Sequence, residues 1–183
     1  MKQKYEFTGK TLNGLKQIRR LDDGIVGGYI ESEKNLSHEG NSFVYDNAKV
    51  YGNAEVYGNA EVFGNAVVVG NAKVFGNAVV VGNAKVFGNA TVFGNATVFG
   101  NAMVFGDAKV YDDAVVAGNA KVYGNAEFFG DATVFGNAKV FGDATVEYTV
   151  LSNFNFDTLP ASVTEIKIDG VTYVKKTIWT KTN

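Results

Sequence analysis

From Val44 to Val146 the chain repeats every six residues as V-(F/Y)-G-N-A-x, as in Val86-Phe87-Gly88-Asn89-Ala90-Thr91, and this period limits what it can fold into. Valine fills 17 of the 18 positions of the first column, with Phe128 the exception, and alanine fills all 17 of the fifth, Ala48 to Ala144. The fourth column is always Asn or Asp, and 15 of the 22 glycines sit in the third. An internal repeat of this kind decides the architecture before any local propensity does. Six does not match the helical period of 3.6, and every helical turn would meet a Gly-Asn pair. Short strands joined by tight bends do match it. Ala and the next Val are two residues apart and share one strand face, while the residue between them points outward. Glycine accepts positive φ and Asn tolerates the left-handed region, so the Gly-Asn pair is expected to form the bend. Asp107, Asp113, Asp131 and Asp143 are expected to replace Asn on the same grounds.

Three bends close a triangular coil in which residues 18 apart stack, and the 18 hexads make six coils. At a strand spacing of ~4.8 Å this prism is roughly 29 Å long. The columns resemble the hexapeptide repeat, loosely (L/I/V)-x-x-x-(S/T/A/V)-x, whose family builds a left-handed parallel β-helix. The resemblance covers Phe43 to Val146 without an insertion and alone implies the handedness. The expected fold is therefore all-β: a left-handed parallel β-helix with small β caps. Residues 1–42 form the N-terminal β cap, 43–147 the β-helix, and 148–183 a C-terminal β-hairpin cap or oligomerisation segment. Strand-like runs before the repeat break at Asn13-Gly14 and Asp22-Asp23-Gly24, and Gly27-Gly28 reads as a further turn. The tail has a hairpin signal at Asp169-Gly170. Both segments suit capping, because open strand edges polymerise.

A second resemblance starts at Gly27-Gly28-Tyr29-Ile30-Glu31-Ser32-Glu33-Lys34-Asn35-Leu36-Ser37-His38-Glu39-Gly40 and continues through Phe43-Val44-Tyr45-Asp46-Asn47-Ala48. This run is similar to the opening segment of acetyltransferase-like hexapeptide proteins of bacteria and their phages and prophages. Their habit of assembly implies a homotrimer. A phage setting implies two partner classes: a small nucleotide signal of host defence, or a host protein.

Composition narrows the chemistry. Seventeen Lys plus Arg against 19 Asp plus Glu leave a net charge of −2, so neither DNA nor RNA is expected as a partner. The chain has no cysteine, which removes disulfides, thiolate metal sites and a Cys nucleophile, and fits a reducing compartment. No apolar N-terminal run and no stretch of 18 apolar residues occur, so the expected location is cytoplasmic, away from membranes. Hexapeptide acyltransferases typically use a histidine base and a long acyl-donor cofactor. The one histidine, His38, is the weak catalytic candidate, with Glu39 beside it to orient the ring. No loop interrupts the coils to arch over an acceptor, no His or Cys cluster suggests a metal, and no helix follows the glycines to hold a phosphate. The expected function is a binding or interaction module without catalysis or cofactor, and the alternative is an acyltransferase-like enzyme using His38.

The outward columns separate into three sides. Side one carries Phe43, Phe63, Val79, Val81, Phe99, Val115 and Phe135, no lysine and one charge, Glu61, and is the expected self-association surface. Side two carries Lys49, Lys85, Lys121 and Lys139 near Tyr51, Phe87 and Tyr123, a candidate site for an anionic aromatic ligand such as a nucleotide. Side three mixes Glu, Lys and Thr. The column after Val is aromatic at 14 of 18 positions, and its rings are expected to stack up each corner.

Overall fold

A computed structural model describes residues 3–147. The hairpin expected around Asp169-Gly170 lies outside the described residues. Strand β1 (Tyr5–Leu12) pairs antiparallel with β2 (Leu15–Arg20) across the Asn13-Gly14 turn, and β2 pairs antiparallel with β3 (Val26–Ile30). A single 3-10 turn, Glu33–Asn35, follows. From Phe43 onward the strands are mostly two residues long and form three parallel sheets, one per side of a β-solenoid. Partners are 18 residues apart, as in Val80 with Val98 and Val86 with Val104. Among the described residues no helix is long and apolar enough to cross a membrane.

The interior follows directly from two columns. Every Val of the first repeat column, Val44 to Val146, and every Ala from Ala48 to Ala144, is buried, and Phe128 takes its place in that Val column fully buried. Burying one Val side chain contributes on the order of 1.5–3 kcal/mol, so the column is the main apolar source of stability. Each coil also hands its backbone N–H groups to the next: Tyr45 N donates to Val62 O at 2.8 Å, and Asn47 N to Gly64 O at 3.0 Å.

The corners divide their labour differently from the sequence expectation. Only the third column turns left-handed. Its glycines have φ between +62° and +81°, and Asp46 and Asp112, which stand in that column, have φ of 53° and 56°. No repeat Asn has positive φ; instead the Asn side chains form ladders. Asn83 Nδ2 donates to Asn101 Oδ1 at 3.1 Å, and Asn101 to Asn119 at 3.1 Å. Of the four fourth-column Asp residues, three serve these ladders rather than the bend. Asp107, Asp113 and Asp143 each accept from the preceding Asn at 2.8–2.9 Å and, as carboxylates, have no N–H to pass on.

The N-terminal segment also pairs with the solenoid. β3 lies parallel to the strand Lys49–Gly52, pairing Tyr29 with Lys49, and Leu36 bridges Val56. Both offsets are 20 residues, so Val26–Ser42 adds an irregular coil that an 18-residue period does not reveal. Gly27 and Gly28 belong to β3 and make no turn. A Cβ on Gly27 would sit 2.5 Å from Val44 O, and one on Gly28 2.5 Å from Ala48 O, so both are needed for close approach. Asn35, buried, ties this coil to the next through Nδ2 bonds to Gly52 O at 3.0 Å and Ala54 O at 2.9 Å.

The corner glycine is the most restrictive position. At Gly94, φ is +70° and an added Cβ would lie 2.7 Å from the backbone N of Asp112 in the next coil. Gly94→Ala is expected to destabilise the fold by roughly 2–4 kcal/mol, combining left-handed strain with a backbone overlap that no side-chain motion relieves. Chemical denaturation should show this loss, with a clearly smaller one, about 1 kcal/mol, for Asn83→Ala in the neighbouring ladder.

Candidate functional site

Three regions hold the residues singled out by sequence, and the structure keeps them apart. The first is the N-terminal end of the solenoid, where a cleft of about 390 Å³ is lined by Gln3, Lys4, Leu21, Asp22, His38, Gly40 and Asn41. β1 brings Tyr5 under the His38 ring, which stacks on it with centroids 4.2 Å apart. His38 Nδ1 accepts a hydrogen bond from the Lys4 backbone N–H at 3.2 Å. The Nδ1 lone pair is thereby engaged with the backbone of β1. The geometry thus uses His38 to dock β1. Lys4 completes the latch: its Nζ donates to Ser42 Oγ at 3.1 Å, Gly40 O at 3.4 Å and Glu39 O at 3.5 Å. Partial burial, with the Arg20 charge adding, lowers the Lys4 pKa to about 8. Tyr5 donates its hydroxyl to Leu36 O at 2.9 Å, and burial pushes its pKa well above the usual phenol range, with Glu33 adding to the shift.

Arg20 seals the adjoining corner. Its guanidinium lies over the rings of Phe43 and Tyr45, 5.1 and 5.8 Å from their centroids, donates to Tyr45 Oη at 3.2 Å and pairs with Asp23. Sequence reasoning missed Lys4, Arg20, Asn35 and Ser42 as a group. Their partners lie up to 38 residues away, and no repeat register links them.

Side two carries the candidate basic site. Lys85 and Lys139 are exposed, Lys49 and Lys121 partly buried, and Met103 interrupts the column between Lys85 and Lys121. The aromatic residues are already paired. Phe87, Phe105, Tyr123 and Phe141 stack with centroids 4.8–5.0 Å apart and planes within 12° of parallel. Both faces of Phe105 and Tyr123 are covered by neighbouring rings, so a base meets ring edges there. Tyr51 is set off from this ladder by Val69, its strand partner. The side-three ladder, Tyr57 to Phe129, is built in the same way, with spacings of 4.7–5.1 Å. On that side Lys109 pairs with Glu127 at 2.8 Å and Lys73 with Glu55 at 3.9 Å.

Side one differs. Phe43 is fully buried beneath Arg20 and Gly27, so it is withdrawn from the expected surface: the irregular first coil covers it. Phe63 packs edge-on to Tyr45 at 6.4 Å. Beyond it Val81 and Ala117 break the ring column, leaving Phe99 without a stacked neighbour and 41% exposed. Phe99 is the one exposed large apolar residue among the described coils from Phe43 onward. Val79, Val81, Val115 and Phe135 around it are partly buried. The corner that follows this side is an all-Asn ladder, Asn47 to Asn137, whereas the other two corners include Asp.

The Lys4 latch makes a pH prediction. Folded Lys4 releases its proton near 8 and the unfolded side chain near 10.5, so between these values the unfolded chain binds more protons. Stability from this group therefore rises with pH over that window, modestly because the ammonium remains partly in water. Thermal unfolding followed from below pH 8 toward pH 10 should show this positive slope in the wild type and lose it in Lys4→Met. A scan against protein-family models gives no match for this chain, and a search of curated proteins gives none either.

Proposed function

We propose that this protein is a rigid, non-catalytic interaction module of the hexapeptide-repeat type, and that it self-associates through side one. The observation that carries this reading is the apolar surface centred on Phe99, the one large apolar side chain that is exposed on the described coils from Phe43 onward. Exposed apolar surface of this kind is stabilised by burial against another protein surface. The N-terminal cleft supports a structural role instead. Its histidine accepts a backbone N–H and its lysine donates to three oxygens, so the polar groups serve the cap.

Light scattering at high micromolar concentration should give a mass that is a multiple of 19.6 kDa. Val79→Lys combined with Val115→Lys should return it to a single chain with an unchanged circular dichroism spectrum, because both positions face outward on the sheet. A single-chain mass for the wild type at that concentration overturns side-one association. Binding of an acyl donor that disappears in His38→Ala would overturn the non-catalytic reading.

A further inference from the structure

Number the strands of side one as rungs, from rung 1 at Phe43–Val44 to rung 6 at Thr133–Val134. From rung 3 onward the ring column reads Val81, Phe99, Ala117, Phe135: small, large, small, large. The neighbouring outward column reads Val79, Thr97, Val115, Thr133. Between that column and the Asn ladder, rungs 3 to 6 hold no charged residue. Interface cores are packed as densely as protein interiors, so a large side chain has to meet a small one.

Two kinds of symmetric contact treat this alternation differently. When prism axes run parallel around a threefold, equal rungs meet. The Phe99 rings then crowd together at rung 4 while Ala117 meets Ala117 and leaves a gap at rung 5. A twofold along the strand direction, placed between rungs 4 and 5, reverses the prism axis and sets each column against its own inverse. Rung 4 then faces rung 5, and rung 3 faces rung 6. Phe99 meets Ala117, Val81 meets Phe135, and every such pair occurs twice. In the outward column Val79 meets Thr133 and Thr97 meets Val115. At the corner leading into side one, Asp113 comes opposite Asn95 and Asp131 opposite Asn77, so no two carboxylates face each other.

We propose that a second copy of this chain packs on side one with its prism axis antiparallel, in the register centred between rungs 4 and 5. This rests on the side-one reading above and specifies its partner and geometry. Four matched rungs at ~4.8 Å and about five residues at ~3.3 Å give a flat footprint of roughly 300 Å² per copy. At roughly 600 Å² in total this is well below the size of a stable dimer interface, so the pair is weak and dissociates on dilution.

The chain lacks cysteine, which makes a thiol test clean. Val79→Cys and Thr133→Cys are prepared as separate full-length variants, mixed at high micromolar concentration, and treated with a short bis-maleimide. Its reach must cover facing sheets ~10 Å apart but not an additional offset of three rungs, ~14 Å. The mixture should cross-link to a two-chain species several-fold more than either variant alone. Cross-linking of either variant alone at the mixture's level means that equal rungs meet, and overturns the antiparallel register while leaving side-one association standing. No cross-link together with a multimeric mass also overturns the register alone. No cross-link with a single-chain mass overturns both.

Discussion

Every coil depends on the left-handed glycine at its corners. That residue lets the chain bend through a third of a turn in very few residues, and it lets the backbone of the next coil lie against it. At Gly76 an added Cβ would stand 3.0 Å from both N and O of Gly94, one coil on. Bending and stacking are therefore one constraint. With it met, the backbone N–H groups reach the carbonyls 17 residues ahead, as Lys85 does with Ala102 at 2.9 Å. The Val and Ala columns then close over each other without gaps that polar groups would have to fill. Among the described residues, no buried side-chain nitrogen or oxygen lacks a hydrogen-bond partner.

A regular scaffold makes its irregularities informative. Sides two and three stack their aromatic rings on one another, Tyr51 excepted, and dress the sheet with lysines and ion pairs. Side one does neither, since two small residues break its column and leave Phe99 in water. The N-terminal end, by contrast, concentrates polar contacts: Arg20, Lys4, His38 and Asn35 each close a different gap between hairpin and prism. Chemistry-bearing side chains are gathered there, and each of these four holds the cap to itself or to the prism.

The repeat made the solenoid legible because each column reports one direction relative to the core. Val98 and Ala102 had to point in, Thr97 out, and the structure places them so. Column logic could not show what happens where the period slips. Tyr29 and Leu36 pair at an offset of 20, and the coil they build buries Phe43, which a strict count assigned to the surface. Nor could it separate the two tasks of the Gly-Asn pair, since bend and ladder call for the same residues at adjacent positions. The latch of Lys4 on Ser42 and His38 left no local signal, because contacts over 34 to 38 residues have no periodicity to betray them. Side one was readable as apolar from composition, but the exposure of Phe99 required knowing that neighbouring rings cover each other elsewhere.

The triangular section also restricts how such a chain can change length over evolution. Gain or loss of a single hexad would turn everything beyond it by a third of a revolution. The Phe99 column would then continue onto the lysine-bearing side, and each amide ladder would be joined to a different corner. Core residues would be indifferent, because Val and Ala recur on all three sides. The penalty would fall entirely on the exterior pattern. Natural length variants that keep a working side one should therefore differ by whole coils of 18 residues, as measured by the pairing offset of Val80 and Val98. An insertion of six would keep the fold and scramble the surface.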